Sequence, residues 1–146
     1  MISPLDAEYP THEDLMRHLA DRSRVFENER VRSAFERIDR AHFVSDDYLP
    51  ESYEDYPLPI GHGQTISQPT TVAFMLELLD PQPGDRVLDV GSGSGWTSAL
   101  LAHMVGEEGV VFGVEKLSDL AQLGEFNLDR YDFSHASIKE AGDELG

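Results

Sequence analysis

Residues 86–98 constrain the fold of this chain more than any other stretch, because they are typical of a strand, a glycine-rich turn and the start of a helix. The apolar residues that predict a buried strand are Val87, Leu88 and Val90. Asp89 lies near the end of that strand, just before the turn. In the turn, three glycines alternate with two serines over residues 91–95. Without Cβ atoms the backbone can turn sharply and approach a ligand. We expect the next helix to begin near Ser94, with its first amides directed into the turn.

A second strand is predicted at residues 110–114, and it is followed by Glu115. A carboxylate in this position can accept hydrogen bonds from both hydroxyls of a ribose. The glycine spacing is G-x-G-x-G and not the G-x-G-x-x-G of dinucleotide-binding proteins. Asp89 would repel a diphosphate but suits a cationic amino acid group. We therefore predict a nucleoside cofactor with an amino acid moiety, with a dinucleotide oxidoreductase and a plain glycine-rich turn as alternatives.

The composition excludes several classes of function. There are 28 acidic and 11 basic residues, and the formal charge of -17 disfavours a nucleic-acid partner, which needs a basic face. The absence of cysteine excludes disulfides and thiolate chemistry, and the six histidines form no metal-ligand pattern. No apolar run or signal peptide suggests a membrane, so we expect a cytoplasmic chain. The acidic surface fits either ordinary solubility or a halophilic source.

The N-terminal part predicts helices followed by an irregular segment. Thr11 and Asp14 form a capping-box pattern at the start of a first helix, and a second helix has an apolar face. That face consists of Val31, Ala34, Phe35 and Ile38. Over residues 39–64 the periodicity disappears, and prolines and glycines are expected to prevent any regular element. The aromatic residues there predict an ordered covering segment.

Residues 63–69, with the sequence G-Q-T-I-S-Q-P, precede a further predicted helix. Its expected inward face is Val72, Met75, Leu76 and Leu79. Pro69 fits the first turn of that helix and Ser67 fits its N-cap. The hydroxyls of Thr65 and Ser67 at a helix N-terminus would attract a carboxylate. From the residues alone, Ser67 is either a helix cap or a contact to such a ligand.

The rest of the chain continues the alternation of strands and helices. Ser118 is the expected cap of a helix that reaches Tyr131, and a weak third strand is predicted at residues 137–141. The inward positions of that helix are Leu120, Leu123 and Leu128. Residues 142–146 are expected to form the turn that follows. The pattern predicts an α/β protein with a parallel sheet, in which residues 1–64 form helices and a covering loop and residues 65–146 a partial cofactor-binding domain, as one continuous domain.

Three motifs make the chain resemble the protein-L-isoaspartate (D-aspartate) O-methyltransferase family over about residues 15–146. They are Y-E-D-Y-P-L-P-I at residues 53–60, G-Q-T-I-S-Q-P at residues 63–69 and V-L-D-V-G-S-G-S-G at residues 87–95. The last is common to many methyltransferases, whereas the second is far more specific. The resemblance implies a Rossmann-like S-adenosylmethionine-dependent fold, here incomplete, with about three parallel strands and an N-terminal helical layer.

The resemblance also implies residue roles and a reaction. Ser67 matches the family's active-site serine, with Thr65, Ile66 and Gln68 beside it as substrate-binding residues. The residues expected to bind S-adenosyl-L-methionine are Asp89, Gly91, Ser92, Gly93, Gly95, Glu115 and Asp143. The expected reaction is methylation of the free carboxylate of L-isoaspartyl residues in damaged proteins, as a step of protein repair. Such a carboxylate is already ionised at neutral pH, so no general base is needed.

The chain departs from the family pattern in three places. Serine follows Phe-Val at residues 43–45 where the family usually has proline, and glutamate ends the Gly-Asp-Gly motif at residues 142–144. The family also continues beyond Gly146 with further strands. We therefore expect an unpaired apolar edge at residues 87–90, which favours self-association or a partner. A methyltransferase for another small carboxylate or hydroxyl, and a non-catalytic cofactor-binding module, are the competing interpretations.

Overall fold

The computed structural model of this chain describes residues 8–143. In chain order the helices and strands are α1 (His12–His18), α2 (Glu29–Arg37), β1 (Leu58–Gly61), β2 (Gln64–Ile66), α3 (Pro69–Leu79), β3 (Arg86–Val90), α4 (Trp96–Val105), β4 (Val110–Glu115), α5 (Ser118–Asp129) and β5 (Ala136–Glu140). A π-helical turn, Leu19–Ser23, extends α1. Two 3-10 turns, Arg40–Phe43 and Asp46–Glu51, lie between α2 and β1.

The two N-terminal helices form as their sequence predicts. The capping box is present, since the Thr11 hydroxyl accepts from the Asp14 amide at 3.2 Å and the Asp14 carboxylate accepts from the Thr11 amide at 2.9 Å. The predicted apolar face of α2 is buried: Val31, Ala34, Phe35 and Ile38. Phe35 meets the ring of Trp96 edge-on, with the ring centroids 5.5 Å apart. The helical layer therefore packs directly on the start of α4.

The covering segment is more regular than expected. β1 pairs with β2 in an antiparallel ribbon, with Leu58 opposite Ile66. The prediction that prolines and glycines would prevent any regular element is wrong for this ribbon, because both of its strands are edges and an edge tolerates a proline such as Pro59. His62, with a φ of 54°, lies in the tight turn between the strands.

The main sheet contains three parallel strands in the order β3-β4-β5. Val87 lies opposite Val111, and Asp89 lies opposite Gly113. The third strand, predicted at residues 137–141, is confirmed and begins one residue earlier, at Ala136. α4 and α5 connect successive strands and cover one face of the sheet, as expected for parallel β-α-β units.

The expectation that β3 is a buried strand is wrong, whereas the expected open edge is present. Leu88 is 53% exposed and Val90 is 59% exposed, while Val87 packs against the core. β3 is hydrogen-bonded only to β4, so its other edge is free in the part of the chain that the structure describes. Leu88 and Val90 line an open groove together with exposed side chains of α3.

Helices α3 and α4 differ in detail from their predicted form. In α3, Val72 and Leu76 are buried but Met75 and Leu79 are 62% and 58% exposed, because one side of the helix has no cover within residues 8–143. α4 begins at Trp96 and not near Ser94, since Gly95 has a left-handed φ of 96° that ends the turn.

α5 also differs from its prediction. Ser118 is its first residue and not its cap, which is Leu117, and the helix ends at Asp129. Its inward leucines are only partly as expected, because Leu123 is 39% exposed. No helix among residues 8–143 has both the length and the apolar character needed to cross a membrane. Of the predicted C-terminal turn, residues 144–146 lie outside the described residues.

Candidate cofactor and substrate site

The glycine turn lies at the carboxyl ends of β3 and β4. The amides of Gly91 and Ser92 both donate to the carbonyl of Val114, at 2.8 and 3.1 Å, and this fixes the start of the turn. Gly91 has a φ of 77°, and a Cβ added there would meet no atom within 4 Å. This part of the turn therefore leaves open space in which a ligand can approach the backbone.

Gly95 has a different role from Gly91. A Cβ at Gly95 would lie 2.9 Å from the carbonyl oxygen of Gly124 in α5 and 3.1 Å from Cδ1 of Ile138 in β5. Gly113 of β4 is equally close-packed, since its Cβ would lie 2.8 Å from Cγ1 of Ile138. Gly95 therefore packs the turn closely against α5 and β5, and its predicted role in cofactor binding stays a prediction. The sequence reasoning missed Gly113 and Gly124, although an isolated glycine inside a strand or helix indicates close approach.

Gly93 and Ser92 lie between these two glycines. Gly93 has a φ of 54°, and a Cβ there would come within 3.3 Å of the flexible end of Ile60. The hydroxyl of Ser92 is buried and has no hydrogen-bond partner among the described residues. A buried hydroxyl without a partner costs free energy that a ligand can recover.

Glu115 is held against the turn by two backbone amides. One carboxylate oxygen accepts from the Gly93 amide at 2.8 Å, and the other accepts from the Leu117 amide at 3.1 Å. The residue is only 8% exposed. Because each carboxylate oxygen has two lone pairs, Glu115 can accept further hydrogen bonds without losing these two.

Asp89 points toward α4 and is paired there with a serine that the sequence reasoning did not identify. The hydroxyl of Ser98 donates to Oδ2 of Asp89 at 2.7 Å. Burial raises the pKa of Asp89, and the negative charge of Glu115 raises it further, against a lowering by the Ser98 hydrogen bond. Two carboxylates thus lie near one another at the glycine turn, which favours a ligand that carries positive charge.

Ser67 is not the N-cap of α3, contrary to the prediction from its spacing. Gln68 occupies the cap position with Pro69 as the first helical residue, and Gln68 makes no capping hydrogen bond. The capping side chain comes from the covering segment, where Oδ1 of Asp55 accepts from the Thr70 amide at 2.9 Å. Since Pro69 has no amide hydrogen, the Thr70 amide is the first one that needs a partner.

This arrangement leaves the Ser67 side chain free. Ser67 is exposed, and its hydroxyl makes no hydrogen bond with any residue in 8–143. Burial by itself would raise the pKa of Asp55, but hydrogen bonds from Thr70 and the interaction with His18 lower it below its ordinary value. The negatively charged Asp55 therefore caps the N-terminus of α3, the role that the sequence predicted for Ser67.

One groove joins the predicted substrate side to the cofactor side. Its volume is about 550 Å³, and it lies between α3, β3 and the start of α4. Ser67 lines this groove together with Asp89 and Gly91. The structure therefore brings together residues that are more than twenty positions apart in the sequence.

The other predicted substrate residues are arranged less uniformly. Thr65 is exposed on β2, whereas the Ile66 side chain is in the core at 4% exposure and offers only its backbone to a ligand. The Gln68 side-chain amide donates to the Asp55 carbonyl at 2.9 Å, so it holds the covering segment against the start of α3. On the cofactor side, Asp143 is exposed and forms an ion pair with Lys116 beyond the ends of β5 and β4.

The comparisons with known proteins agree on one family. The family model for protein-L-isoaspartate(D-aspartate) O-methyltransferase matches residues 10–146. A protein-L-isoaspartate O-methyltransferase from Aeropyrum pernix is 52% identical over 109 residues, which are 75% of this chain and 42% of that protein. One from Methanothrix thermoacetophila is 42% identical over 128 residues, which are 88% of this chain and 61% of that protein.

Solved structures show the same fold. A Plasmodium falciparum protein assigned to this enzyme class, in complex with S-adenosyl-L-homocysteine, has a TM-score of 0.78 at 28% identity over 89% of this chain and 62% of its own. A second protein-L-isoaspartate O-methyltransferase has a TM-score of 0.79 at 27% identity, over 90% of this chain and 42% of its own.

These similarities confirm an incomplete Rossmann-like methyltransferase fold with three parallel strands and an N-terminal helical layer. The chain spans about half the length of the curated relatives it matches. The match to residues 10–146 also includes the two segments that depart from the family pattern. The chain belongs to the protein-L-isoaspartate(D-aspartate) O-methyltransferase family.

Proposed function

We propose that this chain provides the cofactor site and part of the substrate site for methyl transfer from S-adenosyl-L-methionine to the free carboxylate of L-isoaspartyl residues in proteins. The observation that carries this proposal is the single groove lined by Ser67, Asp89 and Gly91. Ser67 and Gly91 line the same groove, and the rest of its lining is mostly apolar side chains of α3 and β3. Relatives that are 42% to 52% identical are named for this reaction.

The residues of the turn fit the proposed cofactor. Gly91 leaves room for close approach, and the unpartnered Ser92 hydroxyl offers a donor or an acceptor. Glu115 keeps lone pairs for ribose hydroxyls, and Asp89 supplies negative charge for an amino group. Asp143, exposed after β5, is the proposed neighbour of the adenine. When bound, the cofactor supplies an electrophilic methyl group on a positively charged sulfur.

The substrate side needs little catalytic machinery. An isoaspartyl carboxylate is ionised at neutral pH, so it is already a nucleophile and no residue has to remove a proton. The Ser67 hydroxyl is free to donate a hydrogen bond to that carboxylate, and the exposed Thr65 lies nearby on β2. The contribution of these residues is to orient the carboxylate toward the cofactor turn.

Calorimetric titration with S-adenosyl-L-homocysteine tests the cofactor assignment, with NADH as the control ligand. We expect binding of the former only. Glu115→Gln should weaken binding about tenfold or more, because an amide cannot accept from both the Gly93 and Leu117 amides and also serve a ribose. Glu107→Gln, on the exposed turn after α4, is the matched control and should bind like the unmodified chain. Equal binding of NADH would overturn the assignment.

A peptide pair tests the reaction. Methyl transfer to an isoaspartyl peptide, and none to the same peptide with ordinary aspartate, is the expected result. Methylation of both would indicate a less selective carboxyl methyltransferase. Cofactor binding without transfer to either would favour a non-catalytic binding module, an alternative consistent with the half-length match to the relatives.

The open edge of β3 supports a second proposal about partners. We infer that this edge and the adjoining side of α3 pair with further polypeptide, either a second copy of the chain or a different one. Leu88 and Val90 are more than half exposed, and so are four residues of α3: Phe74, Met75, Leu78 and Leu79. Sedimentation of the chain should show self-association or a broad distribution when the occupant is a second copy, and a compact monomer would exclude a second copy as the occupant.

A further inference from the structure

Arg40 is an arginine buried at the junction between the helical layer and the candidate site. It lies in the 3-10 turn after α2 and is only 1% exposed. Removing a guanidinium from water is costly unless hydrogen bonds and charges compensate. Burial lowers the pKa of Arg40 to about 10, although the nearby Asp55 carboxylate raises it, so the side chain is charged at neutral pH.

The two terminal nitrogens of Arg40 bind four backbone carbonyls. Nη1 donates to the carbonyls of Ser52 and Glu54 at 2.9 and 3.0 Å. Nη2 donates to the carbonyls of Tyr56 and Ser67 at 3.0 and 3.1 Å. All four N–H groups at the end of the side chain are therefore used. Three of the acceptors belong to the covering segment, and the fourth belongs to the residue proposed to meet the substrate.

The guanidinium also contacts the cofactor side of the site. Its central carbon lies 5.3 Å from the ring centroid of Trp96, the first residue of α4. Trp96 directly follows Gly95, the last residue of the glycine turn. Arg40 thus contacts both sides of the site: it donates one hydrogen bond to the Ser67 carbonyl and lies over the Trp96 ring at the start of α4.

We propose that Arg40 is a positioning residue that fixes the main chain of Ser67 relative to the covering segment, so that the serine hydroxyl faces the substrate carboxylate. This deepens the proposed function and rests on it. The planar, two-pronged guanidinium is needed to bind all four carbonyls at once. A lysine ammonium carries three hydrogens on one atom and cannot donate to four carbonyls. Since the hydrogen bonds go to residues 52–67 and only a ring contact goes to α4, Arg40 should affect peptide substrate more than cofactor.

The test is Arg40→Lys, which keeps the charge and loses the fork. Arg32→Lys is the control, because Arg32 is exposed on α2 and its Nε pairs only with Glu36, at 3.1 Å. Amide hydrogen exchange measured by mass spectrometry should become at least about tenfold faster in residues 52–56 and 66–70 and stay unchanged in α5. In turnover assays the KM for an isoaspartyl peptide should rise about tenfold, with less than about a threefold change in KM for S-adenosyl-L-methionine.

Each outcome decides the assignment. Uniformly faster exchange, no change in exchange, or an equal rise of both KM values would overturn it. If Arg40→Lys does not fold cooperatively, the same measurements are made on Arg40→Gln, and failure of both variants to fold would assign Arg40 a purely structural role. If the unmodified chain neither binds S-adenosyl-L-homocysteine nor transfers methyl, the proposed function fails by itself, and the local exchange pattern still decides whether Arg40 fixes the Ser67 segment.

Discussion

Replacing two glycines of the same turn by alanine should have opposite consequences for stability and binding. Gly95 and Gly91 both have positive φ values, 96° and 77°, so an alanine is strained at either position. They differ in their surroundings. At Gly95 the new methyl group would lie 2.9 Å from the Gly124 carbonyl oxygen, whereas at Gly91 it would enter open space.

The expected magnitudes follow from these surroundings. The left-handed conformation costs an alanine about 1–2 kcal/mol, and the smaller entropy of the unfolded chain returns about 0.4–1 kcal/mol. Gly91→Ala should therefore lower the free energy of unfolding by about 0–1.6 kcal/mol. Gly95→Ala adds overpacking against a backbone atom, at about 1–3 kcal/mol. Its total loss should be about 1–4.6 kcal/mol, and its upper part is a large share of the stability of a small domain.

Urea unfolding and calorimetric titration measure the two effects separately. We expect Gly95→Ala to shift the unfolding midpoint strongly at an unchanged m-value, and Gly91→Ala to shift it little. Binding of S-adenosyl-L-homocysteine should show the reverse order under conditions where both variants are folded, because the Gly91 methyl group occupies the space proposed for the ligand.

The reasoning is refuted if the two variants are equally stable, or if Gly91→Ala binds the ligand as well as the unmodified chain. The first result would mean that α5 yields easily at Gly124. The second would mean that the ligand does not approach the turn at Gly91.

Two further predictions concern Asp89 and the open edge. The pKa of Asp89 is raised in the folded state, so the folded chain binds this proton more tightly than the unfolded chain. The protonated Asp89 therefore makes its full contribution to stability below the ordinary pKa near 4, and this contribution is lost as the pH rises through the folded-state pKa. In thermal melts, Asp89→Asn should therefore raise the Tm at pH 7 but not at pH 3.5. An equal change in Tm at both pH values would contradict the raised pKa of Asp89. Glu107→Gln, at an exposed position, serves as the control. Leu88→Lys should change the free energy of unfolding by less than about 0.5 kcal/mol, since Leu88 is 53% exposed, while shifting sedimentation toward the monomer. Unchanged self-association would show that this edge is not the contact.

Much of the fold was predictable from the sequence because it depends on local patterns. The capping box at Thr11, the apolar face of α2 and the three strands of the sheet follow from spacing along a single element. The glycine turn and Glu115 were identified for the same reason, since a strand, a turn and a helix in succession fix where their ends lie. The family motifs added the site roles of Ser67 and its neighbours, which periodicity cannot supply.

Only the tertiary structure decided how distant segments meet. Asp55, and not Ser67, caps α3, and the fork of Arg40 joins four carbonyls that are 12 to 27 positions away in the sequence. The contact between Gly95 and Gly124 likewise joins two separate elements. Sequence patterns report which side of a helix or strand is apolar, whereas the element that covers that side, or leaves it open as at Leu88, depends on the packing of the whole chain.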